Sequence, residues 1–204
     1  MARSLFPVVA AMAAVVVVSL LSAAVPASAK PPKVTIESVT FMGSGCNWQN
    51  TNYVLSNDYS TVTFIFGDMI ATTDGGLANR RKNCQASLGL KYPKGWSLSL
   101  GSVTGRGYGK LDKGVEGTYQ TSYYFSGQTG TAYAKRTLNG QLELNYEYTD
   151  VFGLLVWSQC NNVPNLNINS EVRVDGPAGR NGIMTLDSTD KKFKLIYRLN
   201  WKTC

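Results

Sequence analysis

The sequence predicts an all-β fold: a single disulfide-stapled domain built as an antiparallel β-sandwich, jelly-roll-like, with a closed barrel as the alternative. Three observations carry this. Apolar and polar residues alternate with a period of two over long runs, which places one strand face in a core and the other toward water. Turn-forming glycine, asparagine and aspartate clusters separate those runs at short intervals, and the chain holds 20 glycines. No amphipathic helix longer than two turns is legible. The chain also has four cysteines and no histidine, and an even cysteine count in an exported chain reads as a disulfide framework.

Taken in order, the first segment reads as an export leader. Arg3 is the only charge before Lys30, and an apolar run from Leu5 is densest at Val15–Leu21. The run ends at Pro26-Ala27-Ser28-Ala29, with small residues at the −3 and −1 positions of an A-x-A site. Cleavage between Ala29 and Lys30 divides the chain into a signal peptide, 1–29, and a secreted domain, 30–204. An uncleaved anchor is the rival, because the run approaches the ~20 residues that span a bilayer; the A-x-A site and Pro26 favour cleavage. No later run is long enough to span, so no membrane association is expected after cleavage.

Residues 30–33, with Pro31-Pro32, form an extended lead-in. Strands are then expected at Val34–Phe41, Thr61–Phe66, Ala86–Tyr92, Trp96–Val103, Gly117–Phe125, Thr131–Leu138, Gln141–Tyr148, Ser170–Val174 and Ile183–Leu186. The clearest alternation comes last: Phe193, Leu195, Tyr197, Leu199 and Trp201 against Lys194, Ile196, Arg198, Asn200 and Lys202. Asn139-Gly140 is the strongest two-residue hairpin signal. Asp74-Gly75-Gly76, Pro93-Lys94-Gly95 and Asp175-Gly176-Pro177 mark further turns. Gly105-Arg106-Gly107-Tyr108-Gly109 lacks the spacing and following helix of a phosphate loop, and reads as a flexible, basic, aromatic loop between strands.

Cys46, Cys84, Cys160 and Cys204 allow three pairings, which sequence alone does not distinguish. The local arrangement, Cys46–Cys84 with Cys160–Cys204, is favoured because each pair encloses a compact set of expected strands. Each closure contributes about 4 kcal/mol on the chain-entropy estimate. Zinc is disfavoured by the lack of any C-x-x-C pair, and no metal or other cofactor is expected.

The missing histidine removes Ser-His-Asp and Cys-His mechanisms and imidazole metal sites. Carboxylates are the remaining catalytic route, and no catalytic residue is assigned. Glu143 and Glu147 share a strand face, but four residues of rise set their backbones about 13 Å apart. That is too far for a glycosidase pair at about 5–9 Å. Asp187-Ser188-Thr189-Asp190 reads as a capped turn rather than a calcium loop.

The net charge is +7, and the basic residues lie in short scattered groups, as on a solvated surface. Nucleic-acid binding is not expected without a recognition motif. Trp48, Trp157 and Trp201 stand close to cysteines and are read as packing beside disulfides. Trp96, at a loop–strand boundary, is the candidate exposed aromatic. Trp96, Arg106 and Tyr108 are the candidate ligand-binding residues.

Several short motifs run in order through almost the whole expected domain: Gly43-Ser44-Gly45-Cys46, Arg81-Lys82-Asn83-Cys84, Pro93-x-Gly95, Arg106-Gly107-Tyr108, Trp157-Ser158-x-Cys160, Asn167-Ile168-Asn169, Asp187-Ser188-x-Asp190 and Trp201-x-x-Cys204. In this the chain resembles a family of small secreted proteins, domain of unknown function number 4360. It departs at Asn47, where the pattern has proline, and at Gln159 and Asn161, where it has proline and glycine. The resemblance implies secretion and a β-rich domain, and carries no activity or functional residue. The sequence therefore points to a secreted, non-catalytic binding or surface-associated domain for carbohydrate or an anionic envelope polymer. The alternatives are a carboxylate-dependent glycan-active enzyme and a structural or effector protein; the oligomeric state stays open.

Overall fold

A computed structural model describes residues 30–185 and 193–204. The expected leader, with Ala29 of the expected cleavage site, and the expected capped turn at Asp187–Asp190 lie outside the described residues.

The alternation is realised as two packed antiparallel sheets. One sheet runs β1 (Thr35–Met42), β5 (Arg81–Lys91), β10 (Leu166–Asp175), β7 (Glu116–Phe125), β8 (Ala132–Asn139). The second is centred on the long β6 (Trp96–Leu111). One edge of β6 pairs with β12 (Phe193–Thr203) and then with β11 (Gly182–Thr185). Its other edge pairs with β9 (Leu142–Val151). Beyond β12 lie β3 (Thr61–Phe66) and β2 (Thr51–Leu55), and beyond β11 lies β4 (Ile70–Thr72). A single 3₁₀ turn, Leu77–Asn79, precedes β5. Sequence reasoning missed β2 and β4, which are short; Asn52, Tyr53 and Val54 of β2 are all exposed, so no alternation marks it.

Between the sheets lies one apolar core, with Phe64, Leu88, Leu98, Leu100, Phe125, Leu166 and Ile168 fully buried. Tyrosines thread polar bonds through it. The Tyr123 hydroxyl on the first sheet meets Ser99 Oγ of β6 at 2.8 Å, and Tyr197 of β12 meets Ser170 Oγ and Thr121 Oγ1 at 2.7 and 2.9 Å. Burial without a partner would cost each hydroxyl dearly, so these pairs favour one sheet-to-sheet alignment. Burial, the first cause, pushes the Tyr197 phenol up to about 12.

Both disulfides are Cys46–Cys84 and Cys160–Cys204. The second joins the two W-x-x-C motifs, and Trp201 is buried in a T-shaped contact with Tyr92, ring centroids 5.0 Å apart. Trp157 is half-buried, with Lys202 Nζ 4.2 Å from its ring centroid. Trp48 departs from the expectation of packing: it is 59% exposed.

Two local expectations are corrected. Asn139-Gly140 joins two strands that do form but do not pair with each other: β8 pairs with β7 and β9 with β6. The turn is a corner between sheets, not a hairpin. Gly140 N donates to Val115 O at 2.8 Å, and a Cβ there would lie 2.0 Å from Asp112 O; the glycine serves close backbone approach. The segment Gly105–Gly109 is not a loop but the middle of β6. Its buried glycines stand opposite Tyr148, Tyr146 and Leu144 of β9. The bare backbone leaves room for large side chains from the neighbouring strand, so glycines that read as flexibility serve packing.

Candidate functional site

The outward face of the β6 sheet carries most of the polar side chains that the fold brings together. Facing residues in antiparallel pairs share a side, which generates two rows across the strands. Thr61, Arg198, Ser102 and Val151 form one; Thr63, Ile196, Thr104 and Thr149 form the other. Thr104 Oγ1 and Thr149 Oγ1 lie 2.7 Å apart. Over these rows runs a groove of about 470 Å³, lined by Lys30, Asp58, Thr104, Thr149, Arg198 and Asn200 among others.

A bulge shapes the groove. The register of β12 on β6 shifts between Arg198 and Leu199, leaving Gly101 without an opposite residue. A Cβ on Gly101 would lie 2.4 Å from Asn200 Nδ2, so the missing side chain seats that amide. The β2–β3 loop, residues 56–60, forms one wall. Tyr59 has φ 56, a left-handed backbone costly for a bulky side chain. Trp201 Nε1 donates to Tyr59 O at 2.8 Å, and Leu199 N donates to Ser60 O at 2.8 Å, so β12 holds the loop in place.

Asp58 projects from this wall. Its carboxylate accepts from Ser56 Oγ and Ser60 Oγ, both at 2.7 Å, from Ser60 N at 3.1 Å, and from Lys30 Nζ at 3.1 Å. The Ser56 and Ser60 hydroxyls, then Lys30, hold it well below the usual carboxylate range. A depressed carboxyl contributes order that is present above its unfolded pKa and lost as pH falls through its folded one. Asp58 is therefore expected to stay ionised at pH about 4, where an ordinary aspartate is half protonated. A side-chain ¹³C NMR titration checks this; a midpoint in the ordinary range would contradict it.

Arg106 and Tyr108 lie together on the outward side of β6, next to the groove rather than in its lining. Both face carboxylates of β9. Arg106 pairs with Glu147 at 2.7 Å, Lys110 with Glu143 at 3.0 Å, and the Tyr108 hydroxyl donates to Glu143 at 2.8 Å. Those bonds, the Tyr108 hydroxyl first, lower the Glu143 carboxyl. The bond to Glu143 also raises the Tyr108 phenol. These charges largely satisfy one another. Arg198, by contrast, has no carboxylate partner among the described residues. Trp96 stands apart, ten residues or about 33 Å of strand from Arg106; it is half-buried and packed against the core.

Asp58, Arg198 and Asn200 are not singled out by the sequence, and Lys30 only as the residue after the expected cleavage site. Alternation did place Arg198 and Asn200 on the wetter face of the last strand. Nothing in the sequence announced that residues 30 and 58 would meet there. Among the described residues, no group of three or more His, Cys, Asp or Glu side chains could hold a metal ion, and no helix is long and apolar enough to cross a membrane.

The profile described as Domain of unknown function (DUF4360) matches residues 32–204, which is most of the chain. The chain belongs to the DUF4360 family. An uncharacterised secreted protein of Arthroderma benhamiae is 41% identical over 180 residues, covering 85% of this chain and 73% of the relative. Like that relative, this protein is secreted. Among solved structures, TmCBM61 in complex with β-1,4-galactotriose matches over 83% of this chain and 90% of its own, at 11% identity and a TM-score of 0.27. A likeness that weak carries no argument about fold or ligand.

Proposed function

We propose that the protein, with its leader removed after Ala29, is a non-catalytic extracellular binding domain. Its outward β6-sheet face takes an acidic polysaccharide. The observation that carries this reading is Arg198: a guanidinium without a carboxylate partner among the described residues, on a row of hydroxyls and beside an amide, in a groove walled by a braced loop. A guanidinium grips a carboxylate through a planar fork of donors. Thr104, Thr149, Ser102 and Asn200 supply donors and acceptors suited to sugar hydroxyls. The chain's net charge of +7, of which only one unit (Arg3) lies in the leader, adds long-range attraction for such a polymer.

Binding is favoured over glycan cleavage for a specific reason. Asp58 is the one carboxylate lining the groove among the described residues, and its four donors favour the ionised form over the protonated one that a general acid needs. Glycosidase chemistry needs a second facing carboxyl.

Affinity electrophoresis in polygalacturonate gels, run at rising salt, tests the reading. Retardation is expected at low salt and weakens as salt screens the charges. Arg198→Ala is expected to weaken it about tenfold, the worth of one charge-assisted bond at about 1.4 kcal/mol. Equal retardation of the variant and the parent would overturn the assignment.

A further inference from the structure

The most exposed aromatic ring among the described residues lies away from the groove, at the open side of the sandwich where edge strands β1 and β2 face each other. Trp48 is 59% exposed and Tyr53 37%. Both rest on Phe41, at centroid distances of 5.2 and 6.3 Å. Phe41 in turn meets Phe64 of the core edge-on at 5.8 Å.

The turn that presents Trp48 is braced from several directions. Asn47 Oδ1 accepts from Gln49 N at 2.8 Å and from Asn50 N at 3.2 Å. Asn50 Oδ1 accepts from Asn47 N at 2.7 Å and Thr51 Oγ1 at 2.9 Å. Asn50 Nδ2 donates to Asp68 at 2.5 Å, and Cys46 is tied to Cys84. These bonds fix the turn, and with it an indole that touches Phe41 yet stays 59% exposed, so the ring is pre-organised for a ligand.

The segment that carries the rings is itself uncharged, although Asp68 reaches its turn through Asn50. No charged residue stands between Glu37 and Asp58 in the sequence, although the chain carries +7 overall. Gln49, next to Trp48 in the turn, is exposed, and its side-chain amide has no hydrogen-bond partner among the described residues. Aromatic faces carry a negative quadrupole that attracts the weakly positive C–H groups of a sugar ring, while amides exchange donors and acceptors with its hydroxyls. A protein partner of standard size needs about 800 Å² on each side, whereas two rings and one amide suit one or two sugar units.

We propose that Trp48, Tyr53 and Gln49 form a second site, which takes the apolar face of a pyranose in a neutral polysaccharide. The site is independent of the charged groove. It makes the protein two-sided, with an ionic face for acidic polymer and a stacking edge for uncharged glycan.

The test is sedimentation of the secreted protein with microcrystalline cellulose, chitin and insoluble β-1,3-glucan in about 1 M salt, where the Debye length falls to about 3 Å and the groove is screened. Retention on at least one polymer is expected. Trp48→Ala lowers affinity about tenfold, the scale of one aromatic stacking contact, and Trp48→Phe restores most of it. Thermal melts of both variants guard against loss of fold. Arg198→Ala separates the two sites, weakening the salt-sensitive arm on polygalacturonate and leaving the salt-resistant one unchanged. No retention on any of the three polymers in high salt, or retention indifferent to Trp48→Ala, overturns the proposal. So does concentration-dependent dimerisation through this edge that Trp48→Ala abolishes without any glycan binding.

Discussion

Replacing Cys160 and Cys204 together with serine is expected to cost about 4 kcal/mol of stability. In a domain of this size that lowers Tm by roughly 10 °C. The bridge closes a loop across a separation of 44 residues. Opening it enlarges the unfolded ensemble whatever happens to local contacts. Those contacts are numerous, and they set the upper limit of the loss. Cys204 N donates to Gly95 O at 2.9 Å and Gly95 N to Cys160 O at 3.3 Å, so one turn is clasped between the two half-cystines. Ser158 N donates to Leu98 O at 2.8 Å, while Ser158 Oγ accepts from Leu98 N at 2.9 Å. These bonds keep the segment near its native place after the sulfurs are removed, so the double variant folds but melts early. Urea denaturation of the oxidised parent and the double variant checks the difference. A loss under about 1 kcal/mol would mean that the unfolded chain is already constrained in this region.

Tyr123→Phe is expected to cost about 3 kcal/mol, more than one neutral hydrogen bond is worth. The reason is what the hydroxyl leaves behind. It accepts from Val156 N at 3.0 Å, meets Ser99 Oγ at 2.8 Å, and lies 3.2 Å from both Leu100 O and Val156 O. Tyr123 is fully buried, so water cannot replace it without a cavity. The ring itself keeps its edge-on contact with Phe152, centroids 4.8 Å apart, and loses nothing in the variant. Adding Ser99→Ala to Tyr123→Phe removes one stranded hydroxyl and is expected to cost less than the sum of the single changes. A thermal-melt cycle over the four proteins measures this; strict additivity would show that the two hydroxyls are not coupled.

Much of the fold was legible because alternation is a local signal with a physical cause. Phe193–Trp201 could face inward on alternate residues in only one way, and β12 follows that pattern through Leu195, Tyr197, Leu199 and Trp201. The compact pairing favoured for the cysteines is the one found. Partner choice was not legible. Asn139-Gly140 is sound turn chemistry, but whether a turn closes a hairpin or carries the chain to the other sheet depends on strands distant in sequence. The glycines of β6 misled for a related reason: opposite Tyr146 and Tyr148 they are packing elements, and their partners lie in another strand.

The groove was the least legible part. Arg198 and Asn200 could be placed on the wet face from period alone. The Gly101 bulge that seats Asn200, the left-handed Tyr59, and the meeting of Lys30 with Asp58 are tertiary facts. Trp96 drew notice by standing beside a turn, yet Trp48, which sits beside a cysteine, is the exposed indole. Proximity to a disulfide in sequence does not settle which way a ring points.

The central claim is that the outward face of the β6 sheet is where the protein meets an acidic glycan. Chemical-shift mapping of the ¹⁵N-labelled secreted protein titrated with a galacturonate oligosaccharide at low salt tests it most directly. The account predicts that the largest shifts fall on Ser60, Ser102, Thr104, Thr149, Arg198 and Asn200, with the Arg198 side chain moving first. Shifts confined to other surfaces, or none at saturating oligosaccharide, would contradict it.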